Sequence, residues 1–185
     1  MVDASQADQT VVLAQRLRAA DPGAASLLDT LYRKPLVRFC WGYLGDGEEA
    51  EDAVHDVWCK VLSAKKIPEH FRPWLYRVAR NQCLNLLRHR KRRRDGGRLP
   101  DVSQIGESLT GHLTRLVKDE QHRRLIEIVQ ELPPKQREVL RLRYVEDLSR
   151  AEIADVLEIA PSSVKTQLFE GLKKLRKHIS LFDER

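Results

Sequence analysis

Apolar residues recur every three or four positions along most of the chain, which is the spacing of a helix with one buried face. The first such pattern runs through 27–44 and breaks at the Gly-Asp-Gly sequence of 45–47. Asp46 is positioned to cap the next helix, and Glu48 and Glu49 suit its N-terminus. No stretch alternates apolar and polar residues as a strand would, so the sequence predicts an all-α fold. Further helical patterns cover 73–91, 113–132, 135–147, 149–158 and 162–179.

The segment 95–111 interrupts these patterns. It contains a glycine pair at 96–97, a proline and few bulky apolar residues, a composition typical of a flexible linker. The chain is therefore predicted to form two small helical domains, 1–94 and 112–185, joined by this linker.

Charge and cysteine content limit the classes of function. Lys and Arg exceed Asp and Glu by 33 to 27, and the distribution of this +6 charge is more informative than its sum. Cys40, Cys59 and Cys83 lie far apart and lack the spacing of a zinc site, so no metal or other cofactor is expected. The first residues lack the pattern of a signal peptide, and no apolar run approaches the ~20 residues of a membrane span. The sequence predicts a soluble, cytoplasmic protein without membrane insertion.

The helix predicted over 73–91 is apolar on one side and basic on the other. The basic side carries Arg77, Asn81 and Arg88, with Asn85 beside it, and a run of five positive charges follows. Arg and Lys bind phosphates, while Asn and Arg also recognise base edges. This side is a candidate nucleic-acid surface, and a solvated basic tail is the alternative.

Two aromatic residues, Trp74 and Tyr76, stand at the start of this helix. Aromatic rings beside a cationic groove stack on unpaired bases, worth ~1–3 kcal/mol per base. Burial of Trp74 in the core is the alternative, since large aromatic side chains usually pack inside. The residues of this helix leave both interpretations open.

The stretch 147–175 has the spacing of a helix-turn-helix. Ser149 followed by Glu152 is a capping-box pattern, Ala154 lets two helices approach closely, and 158–161 supplies the turn. The N-terminal part of the second helix in such a motif normally contacts bases in the major groove. An ordinary helical hairpin is the alternative. The side chains predicted to face the groove are Ser162, Ser163, Lys165, Thr166, Phe169, Glu170 and Lys173.

Three stretches in this order resemble bacterial RNA polymerase sigma factors of the small extracytoplasmic-function group. They are "YRKPLVRFCWGYLGDGEEAEDAVHDVWCKVL", "FRPWLYRVARNQCLNLLR" and "LPPKQREVLRLRYVEDLSRAEIADVLEIAPSSVKTQLFEGLKKLRK". The resemblance extends from Leu27 to His178. The "FRPWLYRVARN" motif, preceded by the acidic "AED" segment, is highly specific to this group, whereas other helix-turn-helix regulators share parts of the third stretch.

This resemblance implies a function in transcription initiation. In the family, the first domain binds the β′ clamp of core RNA polymerase and captures the melted −10 strand of the promoter. The second domain binds the β flap and reads the −35 element as duplex DNA, here through the residues assigned above to the groove. A separate anti-sigma factor is implied only because regulation by such a protein is common in the family. The implied polymerase-binding residues are Asp52, His55, Asp56 and Trp58. The implied −10 residues, beside a base-capturing loop at 63–72, are Trp74, Tyr76, Arg77, Asn81, Asn85 and Arg88.

The resemblance is incomplete in the helix-turn-helix. Glu158 stands at a turn position where the family usually has Gly, and Ala160 replaces a Ser cap. Pro161 can compensate by fixing the first turn of the helix. Gln167 and Glu170 stand where Arg is frequent, which leaves the preferred duplex sequence open. Glu170 could accept from a cytosine amino group or simply face solvent.

Two other classes of function compete with this interpretation. An enzyme is not expected, because the six histidines are scattered without metal-site spacing and no Gly-rich phosphate loop is present. Asp52 and Asp56, one helical turn apart, leave a carboxylate metal site conceivable. A free-standing helix-turn-helix regulator is the closer alternative, but it gives no role to 71–94 or to the acidic helix.

Overall fold

The computed structural model describes residues 4–95, residue 129 and residues 131–183, and within these ranges it contains helices and no strand. The all-α prediction is confirmed for this part of the chain. The linker expected at 95–111 starts at the last residue of a helix, and the rest of it lies outside the described residues, as does most of the helix expected over 113–132. The helices within the described ranges are α1 (Ala4–Arg18), α2 (Ala24–Leu44), α3 (Gly47–Leu62), α4 (Phe71–Asp95), α5 (Pro134–Tyr144), α6 (Arg150–Leu157) and α7 (Pro161–Asp183).

Helices α1 to α4 pack around an apolar core. Leu28, Leu36 and Phe39 of α2 and Leu75 of α4 have no exposed surface. The buried residues of α3 recur three and four positions apart, as one face of a 3.6-residue helix requires. They are Ala50, Ala53, Val54, Val57, Trp58 and Val61.

The turn between α2 and α3 follows the local chemistry of the Gly-Asp-Gly sequence. Gly45 ends α2 with a left-handed φ of 72°, and its N–H donates to the carbonyl of Trp41. Asp46 is extended, and its Oδ1 accepts from the N–H of Glu49 at 3.0 Å. The predicted cap is therefore confirmed, and caps of this kind contribute ~1 kcal/mol.

Helices α6 and α7 form the predicted helix-turn-helix. Ser149 Oγ accepts from the N–H of Glu152 at 3.2 Å, and Glu152 Oε2 accepts from the N–H of Ser149 at 2.8 Å. This completes the capping box. Ile153 and Val164 are fully buried between the helices. At Gly171 an added Cβ would lie 2.9 Å from Leu140, so α7 packs closely on α5.

The two domains are in contact with each other. One cluster of buried side chains includes Leu36 and Tyr76 of the first domain together with Leu142 and Leu148 of the second. The sequence does not predict this packing, because helical periodicity identifies the buried face of a helix but not the domain that covers it.

The three cysteines are free thiols, and Cys40 and Cys83 are buried. No helix within the described ranges combines the length and apolar character needed to cross a membrane.

Candidate polymerase and nucleic-acid interfaces

The seven α7 side chains predicted to face a major groove are all exposed. We call this set (Ser162, Ser163, Lys165, Thr166, Phe169, Glu170 and Lys173) the recognition face. Phe169 is 67% exposed, which leaves a large apolar ring on an otherwise polar surface. Thr166 donates its hydroxyl to the carbonyl of Ser162 at 3.1 Å. Glu170 accepts from Gln136 Nε2 of α5 at 2.9 Å, so its carboxylate is held by the protein.

The turn before α7 accommodates the departures from the family pattern. Glu158 adopts a left-handed conformation with φ 55°, and its N–H donates to the carbonyl of Ala154. The left-handed conformation costs a residue with a Cβ ~1–2 kcal/mol, which explains why Gly is usual at this position. Pro161 is the first residue of α7, as predicted, and the carbonyl of Ala160 accepts from the N–H groups of Ser163 and Val164.

The middle of α4 presents part of the predicted −10 surface. Asn81, Asn85 and Arg88 are exposed, and Arg88 donates to Asn85 Oδ1 at 2.8 Å. Arg90, from the basic run that follows, instead forms an ion pair with Glu49 at the start of α3. At least this arginine is structural, so the basic run is not simply a solvated tail.

The aromatic residues of α4 face inward. Tyr76 is 2% exposed, its ring lies 5.2 Å from that of Phe39, and its hydroxyl donates to Glu146 Oε2 at 3.4 Å. Burial and the nearby Glu146 carboxylate raise the pKa of the Tyr76 hydroxyl far above its usual value. Trp74 is half-buried, 5.9 Å from the ring of Phe71. A base could not reach Tyr76 in this arrangement, because its ring is buried against Phe39 and its hydroxyl meets Glu146 of the segment after α5.

An ion pair joins α4 to α5 across the domain boundary. Arg80 Nε lies 2.8 Å from Glu138 Oε1, and the two side chains are only 15% and 11% exposed. The hydroxyl of Tyr43 donates to the same carboxylate oxygen at 2.5 Å. Burial, and then the Glu138 charge, raise the pKa of Tyr43.

A second group of contacts surrounds the buried carboxylate of Glu146. Arg38 Nη2 lies 3.1 Å from Glu146 Oε2, and the carboxylate itself is not exposed. Arg72 donates to the backbone carbonyl of Glu146 at 2.7 Å and to Glu152 Oε1 at 3.1 Å. Buried carboxylates need such partners, since desolvation without them is costly. These contacts fix α4 against α6.

The side chain of Arg141 lies on the backbone of α2. Its guanidinium is 5.0 Å from the ring of Phe39 and 5.1 Å from that of Tyr43, and it donates to the Phe39 carbonyl at 2.5 Å. Gly42 makes this possible, because a Cβ there would overlap the guanidinium.

This interdomain surface was not predicted, although the sequence of α5 contains an indication of it. Glu138 and Arg141 are interleaved with Val139 and Leu142, all on or beside the buried face of the helix. Charged residues in an apolar stripe are rarely buried without partners, so they indicated a charged contact with another element.

Three of the four residues predicted to bind polymerase face outward on α3. Asp52, His55 and Asp56 are exposed, and Asp56 Oδ2 accepts from Gln82 Nε2 at 2.5 Å. Trp58 differs, because it belongs to the apolar stripe of α3. It is 8% exposed, and its Nε1–H donates to Asp29 Oδ1 at 3.1 Å. Within the described ranges, no three His, Cys, Asp or Glu residues come together as a metal site would require.

Comparison with known proteins agrees with this architecture. Residues 28–93 match the family "Sigma-70 region 2" and residues 122–175 match "Sigma-70, region 4". The chain is 28% identical over 179 residues to the ECF RNA polymerase sigma factor SigW of Bacillus subtilis, an alignment that covers 89% of this chain and 94% of SigW.

Two solved structures share the fold. CnrH, solved in complex with the cytosolic domain of CnrY, has a TM-score of 0.64 at 19% identity and covers 94% of this chain and 99% of its own. The Bartonella quintana sigma factor RpoE, solved in complex with the anti-sigma factor NepR, has a TM-score of 0.52 at 17% identity, with 96% and 98% covered.

A helical domain carrying the region 2 motifs, joined to a helix-turn-helix domain of region 4, defines a sigma factor. The chain belongs to the sigma-70 family, in its extracytoplasmic-function group. The alternative of a free-standing helix-turn-helix regulator is not favoured, because it leaves the match over 28–93 without a role.

Proposed function

We propose that this sigma factor binds core RNA polymerase through the outer face of α3, formed by Asp52, His55 and Asp56. The proposal is supported by the exposure of all three side chains on a helix whose opposite face is fixed in the core. Trp58 has an indirect role, since its contact with Asp29 holds α3 against α2 and so orients the outer face.

Reversing charge on this face is expected to abolish binding to core polymerase. Asp52→Lys combined with Asp56→Lys places two cations where the proposal needs anions, and like charges brought together at an interface cost several kcal/mol. Co-elution with core polymerase on gel filtration measures the effect. Asp8→Lys combined with Asp155→Lys makes the same change at two exposed carboxylates on other helices and should still co-elute. If the α3 variant binds core polymerase with unchanged affinity, this face of α3 is not the binding surface.

The recognition face of α7 is proposed to read the −35 element as duplex DNA. The observation that carries the proposal is this exposed polar face, which follows a fully formed capping box and a tight turn. Lys165 and Thr166 lie in its N-terminal half, where base contacts are usual. Phe169 offers an apolar contact for a thymine methyl group.

Lys165→Ala is expected to cost ~1–3 kcal/mol of promoter binding and to relax preference at one −35 position. The loss should be confined to that position, because a base contact discriminates between sequences whereas a phosphate contact does not. Transcription from a set of single-substitution −35 promoters measures it. Lys174→Ala is the matched control, since Lys174 is exposed nine residues further on, across the helix from Lys165. An equal loss on every promoter would assign Lys165 to the phosphate backbone.

Capture of the −10 strand is proposed for the loop 63–72 and for α4 as far as Arg88. Asn81, Asn85 and Arg88 are open to a nucleic-acid strand in the present arrangement. Tyr76 is covered, and Arg77 lies 3.4 Å from Glu158 of the helix-turn-helix. Tyr76 therefore acts only after the two domains separate, whereas the exposed pair of Arg77 leaves that side chain accessible. Trp74 braces the loop through its contact with Phe71.

An anti-sigma factor is proposed as a further partner. CnrH, which shares this fold over nearly the whole chain, was solved with the cytosolic domain of CnrY, and RpoE, which also shares it, was solved with the anti-sigma factor NepR. A partner of that kind would act on the arrangement of the two domains, because the surfaces proposed for DNA lie on both of them. The protein would work inside the cell, where polymerase and promoters are.

A further inference from the structure

The last residue of α1 reaches across to the loop between α3 and α4. Arg18 Nε donates to the carbonyl of Ile67 at 3.2 Å, and Arg18 Nη2 donates to the carbonyl of Pro68 at 2.7 Å. Both acceptors lie in the middle of the loop proposed to capture the −10 base. The donor is about fifty residues away in the chain and precedes the part that matches the region 2 family.

The middle of the loop has few other attachments, whereas its end is held by the buried Phe71 and by the hydrogen bonds of Arg72. Among the described residues, no backbone–backbone hydrogen bond joins 65–68 to the rest of the protein. The side chain of Ile67 is 7% exposed and anchors the loop at one point in the core. Hydrogen bonds from a charged donor are stronger than neutral ones, and a guanidinium that engages two successive carbonyls also fixes the direction of the backbone between them. The path of the loop therefore depends on Arg18 as well as on Ile67.

Helix α1, which carries Arg18, is packed tightly on the rest of the first domain. Leu13 of α1 is fully buried, Ala14 is nearly so, and the hydroxyl groups of Thr10 and Tyr32 lie 2.8 Å apart. Helix α1 is thus packed on α2, and Arg18 projects from a fixed position. Arg18 can therefore hold the 63–72 loop, because the main chain of Arg18 is fixed by the packing of α1 and not by the loop itself.

We propose that Arg18 is a positioning residue for −10 recognition. It holds the 63–72 loop in the conformation that accepts the flipped base, and through this it contributes to the choice of −10 sequence without touching DNA. The inference rests on the proposed function of the loop, so the state of the loop and the selectivity for DNA are measured separately.

Digestion of the full chain with a protease specific for lysine reports the state of the loop. Lys65 and Lys66 lie in the loop, while Lys34 and Lys60 lie within helices and serve as internal references. Arg18→Ala is expected to speed cleavage after Lys65 and Lys66 about tenfold, because cleavage follows local opening and the lost hydrogen bonds resist that opening. Arg18→Lys keeps the charge but not the paired donors, so its cleavage rate should lie between those of the unchanged protein and Arg18→Ala. Arg16→Ala is the matched control on the same turn of α1, and it should leave the rate unchanged. An unchanged rate in Arg18→Ala would overturn the positioning role.

Transcription with core polymerase from promoters that differ only at −10 positions reports selectivity. Arg18→Ala is expected to reduce the preference for the best −10 sequence about tenfold, at unchanged thermal stability and unchanged −35 preference. Asn81→Ala, in the proposed base-binding surface, is tested alongside it. If only Asn81→Ala alters −10 preference, the inference about Arg18 fails and −10 capture by the first domain stands. If neither variant alters it, the proposed −10 capture fails, and the inference fails with it.

Discussion

Glu138→Lys is expected to separate the two domains of the free protein. The substitution removes the carboxylate that Arg80 and Tyr43 share and places a second cation beside Arg80. Breaking a buried ion pair by removing one partner costs ~3–5 kcal/mol, because the remaining charge is left desolvated. Covalent attachment through the chain does not replace this contact, so the equilibrium should move towards separated domains.

Energy transfer between two dyes measures the separation. Cys59 is the exposed native cysteine of α3, and Ala151→Cys adds a site on the exposed side of α6. The transfer efficiency should fall in Glu138→Lys and recover when Arg80→Glu is added, since the pair is then restored with its charges exchanged. Arg77→Glu is the control. It disrupts the pair with Glu158, which is exposed to solvent and contributes little, so the domains should stay together. Unchanged transfer in Glu138→Lys would mean that the apolar contacts alone hold the interface.

The elements with local signals were the ones that could be predicted from the sequence. The capping box of Ser149 and Glu152 and the cap at Asp46 each involve residues three apart, so a single turn of helix encodes them. The exposure of the recognition face followed in the same way, because the buried Val164 and the partly buried Leu168 fix which side of α7 faces inward.

The contacts that could not be predicted join residues far apart in the sequence. Arg80 and Glu138 are separated by 58 residues, and Arg18 and Ile67 by 49. Helical periodicity places each of them on a surface without saying what that surface meets. Tyr76 shows the consequence, since it follows the core residue Leu75 and borders the apolar stripe. Its hydroxyl meets Glu146 of the second domain, a contact that α4 alone could not reveal.

Asn81→Ala is expected to slow promoter opening about tenfold without loss of thermal stability. The side chain is exposed on α4 and makes no hydrogen bond to another described residue, so its removal leaves nothing unpaired inside the protein. An amide both donates and accepts, which suits a base edge, and the loss of such a contact costs ~1–3 kcal/mol. Asn81 carries no charge and should contribute little to the salt-dependent first encounter with DNA. Permanganate reactivity of the −10 thymines, followed over time with holoenzyme, measures opening, and footprinting of the closed complex measures the encounter.

Tyr76 provides the contrast that makes this result interpretable. Tyr76→Ala removes a buried ring and should cost ~3–5 kcal/mol of stability, so every step would weaken together. Tyr76→Phe keeps the ring and removes only a long hydrogen bond to Glu146, so stability and stacking on a captured base should both persist. His89→Ala, an exposed change further along α4, is the control for nonspecific effects on the helix.

A template with a pre-melted bubble should restore only part of the activity of Asn81→Ala, because melting is supplied but capture of the base remains impaired. Full restoration would limit Asn81 to the melting step, and normal opening on duplex promoters by a stable Asn81→Ala protein would rule out its proposed role.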